Sequence, residues 1–326
     1  MIRGVPVSQE AKTVKWNIEK RFSGDFIFKS FTVLFAFSII AILLLMVVEM
    51  TRESIPTMAA FGWRFIPGRD WDAVQGSFGA LPYIWGSVVS SILALLLATP
   101  LSVGAALFIT EVAPKKIGGT VAALIELLAA IPSVIYGLWG VLVMAPWLQK
   151  TVEPFLAERL GFLPFFQGAP YGVSMLAAVF ILMIMVIPII TSISKEVLLT
   201  VPQSQKEAAI ALGATRWEMI RLAVLPYGKS GILGAVILGL GRAVGETMAV
   251  TMVIGNTPQI SLSLLAPGYT MPSVIANEFA ETTSKLHASA LMEIGLILLV
   301  VTLIINVLAR LLLWSVTRGE KGGVRL

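Results

Sequence analysis

Three ionisable residues stand inside stretches that are otherwise apolar enough to lie in lipid. Arg242 and Glu246 occur in GLGRAVGETMAVTMVIGN from Gly239 to Asn256, and Glu126 occurs in IELLAAIPSVIYGLWG from Ile125 to Gly140. A charge at that depth is costly, so it must face protein or water, and such residues mark ion paths or buried pairs. Glu246 follows Arg242 at the i,i+4 spacing that shares a helix face, so the two can neutralise each other. The guanidinium offers paired donors to an oxyanion, and a nearby carboxylate repels a dianion or takes a proton from its protonated form. The plainer reading of the same spacing is a structural ion pair that fixes helix packing. Glu126 is a second candidate partner for Arg242.

Other chemistries find little support. The chain has no Cys and one His, which excludes disulfides, thiolate metal sites, His-based metal clusters and a Ser-His relay. That histidine, His287, reads as a solvated loop residue. Two nucleotide-site lookalikes also fail: GLGRAVG has three residues before its last Gly and follows no strand, and the GKS at Gly228 to Ser230 has Ala223 where a phosphate loop needs its first Gly. No cofactor is expected in this chain.

The elements that must position these charges are membrane helices. The 326 residues are 57% hydrophobic and 13% charged, with mean hydropathy +0.88, which marks an integral membrane protein. Six windows long enough to cross about 30 Å of hydrocarbon run near 31–48, 83–110, 117–145, 171–190, 231–255 and 289–316. The expected class is an all-α polytopic membrane protein with a transmembrane domain over 29–316 and tails at 1–28 and 317–326. Most of the 24 lysines and arginines flank alternate ends of these spans. They include Lys115 and Lys116, then Lys195, Lys206, Arg216, Arg221 and Lys229. Basic residues are held back from translocation, so these loops and both termini are expected inside. The net charge of +5 is then a topology signal, not a sign of nucleic acid. Trp63, Trp71, Tyr83, Trp85 and Trp147 fall near the opposite span ends, where amphipathic rings favour the headgroup zone. The polar, mixed-charge start followed by a long apolar run predicts no cleavable leader. Pro100, Pro132 with Gly137, and Pro188 predict breaks within spans, tolerated where protein or water satisfies the freed backbone groups.

One polar insert, within 191–229, interrupts this pattern: SQKEAAIALGATRWEMIRLAVLP from Ser204 to Pro226. Ser204 with Glu207, and Thr215 with Glu218, have the spacing of capping boxes that start two helices. Gly213 fits the left-handed residue that ends the first, and Pro226 is expected to stop the second. Ala208, Ala209, Ala211 and Leu212 would form a small, weakly apolar face into which a soluble partner's groove could fit. A solvated hairpin has the same spacing. A DNA-reading helix-turn-helix also matches, but spans tether it at both ends and nothing else supports DNA contact.

Glu207-Ala208-Ala209, then Gly213, then Leu225-Pro226 resembles the EAA loop of ABC importer permeases, E-A-A-x3-G-x9-I-x-L-P, with Ala223 in place of its Ile. The two charged segments, together with FGALPYIWGSVVSSILALLLATPLSVGAALF from Phe78 to Phe108, are similar to phosphate-specific importer permeases of the PstC type, over nearly the whole chain. The resemblance implies a MetI-like permease core whose EAA loop is a coupling helix seated in an ATPase. It implies a second, PstA-type permease, two ATPase subunits that use ATP and Mg, and an extracytoplasmic phosphate-binding protein. It also places Arg242 and Glu246 at positions implicated in passage of inorganic phosphate, with localisation in a bacterial inner membrane. An ion-coupled secondary transporter and a membrane-embedded enzyme are the contrasting classes. The first leaves the capped insert without a partner, and the second lacks a convergent catalytic set.

Overall fold

The computed structural model describes residues 22–318. The expected tails, with Arg3, Lys12, Lys15, Lys20, Arg21, Lys321 and Arg325, lie mostly or wholly outside the described residues. Among the described residues there is no strand, only an isolated antiparallel bridge between Asp72 and Ser77. The helices in chain order are α1 (Phe22–Phe61), α2 (Leu81–Leu107), α3 (Lys115–Ala129), α4 (Ser133–Trp139), α5 (Ala145–Trp147), α6 (Glu153–Leu160), α7 (Met175–Leu199), α8 (Gln203–Ala211), α9 (Arg216–Met219), α10 (Leu225–Gly245), α11 (Met248–Val253), α12 (Met271–Glu278) and α13 (Lys285–Arg318). Five helical stretches are long and apolar enough to cross a membrane. A sixth span forms if α3 and the run from Ser133 to Leu160 count together across a 92° bend. The expected six-span, all-helical class is therefore present.

Two compact units divide the chain, Met1–Glu49 and Met50–Leu326. Within the first, the described part of α1 presents Phe28, Phe31, Leu34, Phe35 and Leu45 as exposed side chains, the composition of a surface that meets lipid or another apolar helix. Within the second, α2, α7 and α10 pack around Ala94, Ala98, Ile181, Val186, Ile190 and Ala235, all fully or almost fully buried. Close approach explains the small residues. A Cβ on Gly239 of α10 would stand 2.8 Å from Val186 and 3.0 Å from Ile190 of α7, so any larger residue would have to push α7 side chains aside, and Gly permits the close crossing. Gly231 and Ala235 also face α7 or the core, whereas Gly241 and Gly245 meet open space. The expected small-residue stripe is thus split between packing and a lining with room beside it.

Of the expected proline breaks, Pro132 is the one that interrupts a helix. Ala130 ends α3, Pro132 is extended with ψ 140°, and the residue before a proline resists helical geometry. The Tyr136 phenol donates to the Leu128 carbonyl at 2.8 Å, which satisfies an acceptor freed at the bend. α2 and α7 continue through Pro100 and Pro188.

The far side departs from the expected solvated loops. His287 is 4% exposed, stacked on Phe78 with ring centres 5.4 Å apart, and its Nε2 lies 3.1 Å from Glu278 Oε2. Ser284 accepts from the His287 N–H and starts α13 there, which turns the imidazole into the cluster of Phe65, Phe78, Tyr83, Tyr269 and Leu291. Trp71 donates its indole N–H to the same Glu278 carboxylate at 2.9 Å. Burial, the largest cause, with Glu278 adding to it, pushes the Tyr269 phenol up to about 12, and its oxygen accepts from the Asn277 amide at 3.1 Å. Trp63 and Trp147 are exposed as a headgroup belt requires, but Trp71, Tyr83 and Trp85 are packed inward.

Candidate functional site

The span that holds Arg242 is not one continuous helix. α10 ends at Gly245, Glu246 is extended with ψ 124°, and α11 starts at Met248. Glu246 is therefore the hinge between two helices, not a further turn on one face. Its Oε1 accepts from the Ala249 N–H at 3.4 Å, so the carboxylate caps α11 and satisfies a free amide at its start. Its other oxygen stands 3.9 Å from Arg242 Nη2. That distance allows charge attraction but is too long for a hydrogen bond.

The two charges differ in access. The Glu246 side chain is 7% exposed and that of Arg242 is 41% exposed. No hydrogen bond among the described residues engages the Arg242 guanidinium, so its planar fork of donors is open to an acceptor. The short helices that follow the two interruptions, α4 and α11, pack against each other: a Cβ on Gly137 would stand 3.1 Å from Ala249.

Glu126 does not join this pair. Its Oε1 lies 3.0 Å from Lys195 Nζ, and Lys195 is also 3.2 Å from Glu196. α3 packs along α7 before the 92° bend turns the chain away, so Glu126 meets the base that α7 offers. Lys195 was not among the residues singled out from sequence, since it reads there only as one of several basic residues at a span end.

The insert forms the expected hairpin with two corrections. Thr215 and Glu218 make a full capping box: the Thr215 hydroxyl accepts from the Glu218 N–H, and Glu218 accepts from the Thr215 N–H at 2.8 Å. Gly213 has φ +89°, and Gly213 and Ala214 donate to the carbonyls of Ile210 and Ala209, the double bond of a left-handed helix end. Ser204 is not a cap. α8 begins at Gln203 after an extended Pro202, with no side-chain cap, because proline already fixes the entry and has no N–H to satisfy. Pro226 does not stop the second helix either. A wide π-helical turn over Ile220–Val224 precedes it and absorbs its missing donor and ring bulk, so one helix runs from Arg216 to Gly245. Leu225 packs partly inward beside it, in the cluster of Val224, Leu198 and Ile232.

On α8, Glu207, Ala208, Ile210, Ala211 and Leu212 face outward, and Leu212 is 90% exposed. Ala209 is turned instead toward Met219, Ile220 and Val224, so the expected face loses it and gains Ile210. Gly228, Lys229 and Ser230 lie inside α10, where no loop exists to cradle a phosphate.

Residues 98–317 match the family described as binding-protein-dependent transport system inner membrane component. The chain belongs to that family. Among relatives of this inner membrane component, the phosphate transport system permease protein PstC of Mesorhizobium japonicum is 44% identical over 90% of each chain. That of Pasteurella multocida is 42% identical over 91% of this chain and 93% of the relative. That of Xylella fastidiosa is 48% identical over 79% and 81%. Solved structures with the same fold include a bacterial ABC transporter that imports the acidic polysaccharide alginate, with TM-score 0.54, 18% identity, and coverage of 89% of this chain and 97% of that one. An inward-facing methionine transporter, MetNI, follows with TM-score 0.53 and 18% identity over 72% and 94%. The inner membrane component is thus a transport subunit of the ABC importer class, not an enzyme, and its fold is MetI-like. The EAA segment of α8 fits that family.

Proposed function

We propose that this inner membrane component is the permease subunit of an ATP-driven importer that carries inorganic phosphate across the bacterial inner membrane. The observation that carries the proposal is the Arg242 guanidinium, which lies in the last turn of a membrane helix that breaks at Glu246, with its donors unengaged and Glu246 just beyond hydrogen-bond distance. Such a site holds an oxyanion weakly. The cation attracts it, the buried carboxylate limits how long a dianion stays, and high affinity is left to a separate binding protein. The PstC relatives, with their stated phosphate role, support phosphate over other oxyanions.

The exposed face of α8 supports docking of an ATPase, and ATP with Mg is used there rather than in this chain. The partners are then two ATPase subunits, a PstA-type second permease and an extracytoplasmic phosphate-binding protein. The tails and the α8 hairpin are on the cytoplasmic side, in keeping with the basic residues that flank them. ATPase closure moves Glu207 to Gly213, the helices around the two interruptions rearrange, and phosphate passes Arg242 by alternating access.

Phosphate uptake by the reconstituted complex tests this. Arg242→Gln keeps the side chain's length but removes its charge. With the complex assembled, uptake should fall roughly a hundredfold, the scale on which oxyanion sites lose activity when a donor is removed. Normal ATP-dependent uptake by that variant would remove Arg242 from the path.

A further inference from the structure

α8 has two faces with different partners. Its outer face carries Glu207, Ala208, Ile210, Ala211 and Leu212 into solvent. Its inner face carries Lys206, whose Nζ lies 2.6 Å from Glu111 Oε1, with 14% and 5% of the two side chains exposed. These residues are 95 positions apart in the chain. No other side-chain hydrogen bond leaves α8 among the described residues.

Glu111 lies in a tightly packed corner. It lies in the π-helical turn Phe108–Val112 that closes α2, where the Ala113 N–H donates to the Phe108 carbonyl at 2.8 Å. A Cβ on Gly118, at the start of α3, would stand 2.9 Å from the Ile109 carbonyl, so α3 is seated directly on that turn. Glu111 thus sits at the corner between α2 and α3, the first part of the span that bends by 92°. A short, covered, charge-assisted hydrogen bond resists separation, because parting it strands a charge out of water.

We infer that Lys206 and Glu111 are positioning residues for transport: their ion pair joins the coupling helix to the α2–α3 corner, so that displacement of α8 by its ATPase moves the helices around the anion path. This rests on the importer reading above. α8 is also joined to α10 through the hairpin backbone. The pair joins it to α2 and α3 as well.

Two measurements on the full reconstituted complex test it. The first is phosphate uptake per ATP hydrolysed in Lys206→Met, Glu111→Gln and the exchanged pair Lys206→Glu with Glu111→Lys. Each single variant should keep its ATPase subunits and hydrolyse ATP while uptake per ATP falls about fivefold or more, the lower end of ordinary coupling energies. The exchange should recover most of it. Wild-type ratios in the single variants, or no recovery in the exchange, would overturn the inference.

The second measurement does not depend on the anion. The chain has no cysteine, so in a complex whose partner subunits are also cysteine-free, spin labels placed through Gln205→Cys and Leu101→Cys report only the α8–α2 distance. With Lys206 and Glu111 intact, that distance should be the same with and without nucleotide, and with Lys206→Met it should change. A nucleotide-dependent distance in the intact pair would overturn the inference. If the wild-type complex moves no phosphate, the importer reading falls, and the label distances alone decide the role of the pair.

Discussion

Two of the ion pairs among the described residues, Lys206 with Glu111 and Arg242 with Glu246, are built for opposite purposes. Lys206 and Glu111 approach to 2.6 Å with both side chains largely covered. Arg242 and Glu246 stay 3.9 Å apart, with the arginine 41% exposed and the glutamate engaged in capping α11. The first pair satisfies itself, so its worth is mechanical. The second leaves the guanidinium short of a partner, so a passing anion can supply the missing acceptor. The comparison teaches that charge type and sequence spacing do not separate a lock from a binding site. Distance, cover and competing hydrogen bonds do.

The strongest way to break that comparison is to exchange the charges at the second pair as well. Arg242→Glu with Glu246→Arg preserves net charge and the possibility of attraction. It moves the cation into the covered hinge position and puts a carboxylate where the open donors were. Uptake should stay down on the order of a hundredfold, as for loss of an oxyanion donor, in contrast to the recovery expected for exchange at Lys206 and Glu111. Recovery at Arg242 and Glu246 would mean that this pair is structural too.

A finer test keeps the charge and changes only its shape. Arg242→Lys retains a cation but loses the planar, paired donors. Uptake should fall about tenfold, equivalent to about 1.4 kcal/mol, with ATPase association unchanged. An uptake equal to wild type would show that a point charge suffices and that the open donor fork of Arg242 is incidental.

Much of this arrangement was legible in the sequence, and the failures have physical causes. Six apolar windows gave the spans because backbone in lipid must be helical, and length then counts spans directly. Arg242 stood out because charge in an apolar window is rare. Its pairing geometry was not legible, because i,i+4 spacing assumes a continuous helix and Gly245-Glu246-Thr247 ends one. Glu126, a candidate partner for Arg242, meets Lys195 instead, because the 92° bend that sets its place has no signature beyond Pro132. His287 was read as solvated from its loop-like neighbours. The Ser284 cap starts α13 before it and makes it a buried first-turn residue. Glu111 left no signal at all, because its partner is 95 residues away and long-range pairs are invisible to local spacing.

The insert supplies the smallest and cleanest contrast, since Ser204 and Thr215 carry the same local pattern and only one of them caps. Thr215 accepts from the Glu218 N–H and receives the reciprocal bond, so Thr215→Ala should destabilise the hairpin locally by about 1 kcal/mol. Ser204 lies past the helix start, exposed and without a cap bond, so Ser204→Ala should change stability by no more than about 0.5 kcal/mol. Amide hydrogen exchange over residues 203–224 reads both in the assembled complex. Protection should drop around Glu218 in the first variant and stay unchanged around Glu207 in the second. Equal losses would restore Ser204 as a cap. They would also mean that α8 starts at Gln205, two residues later than Gln203.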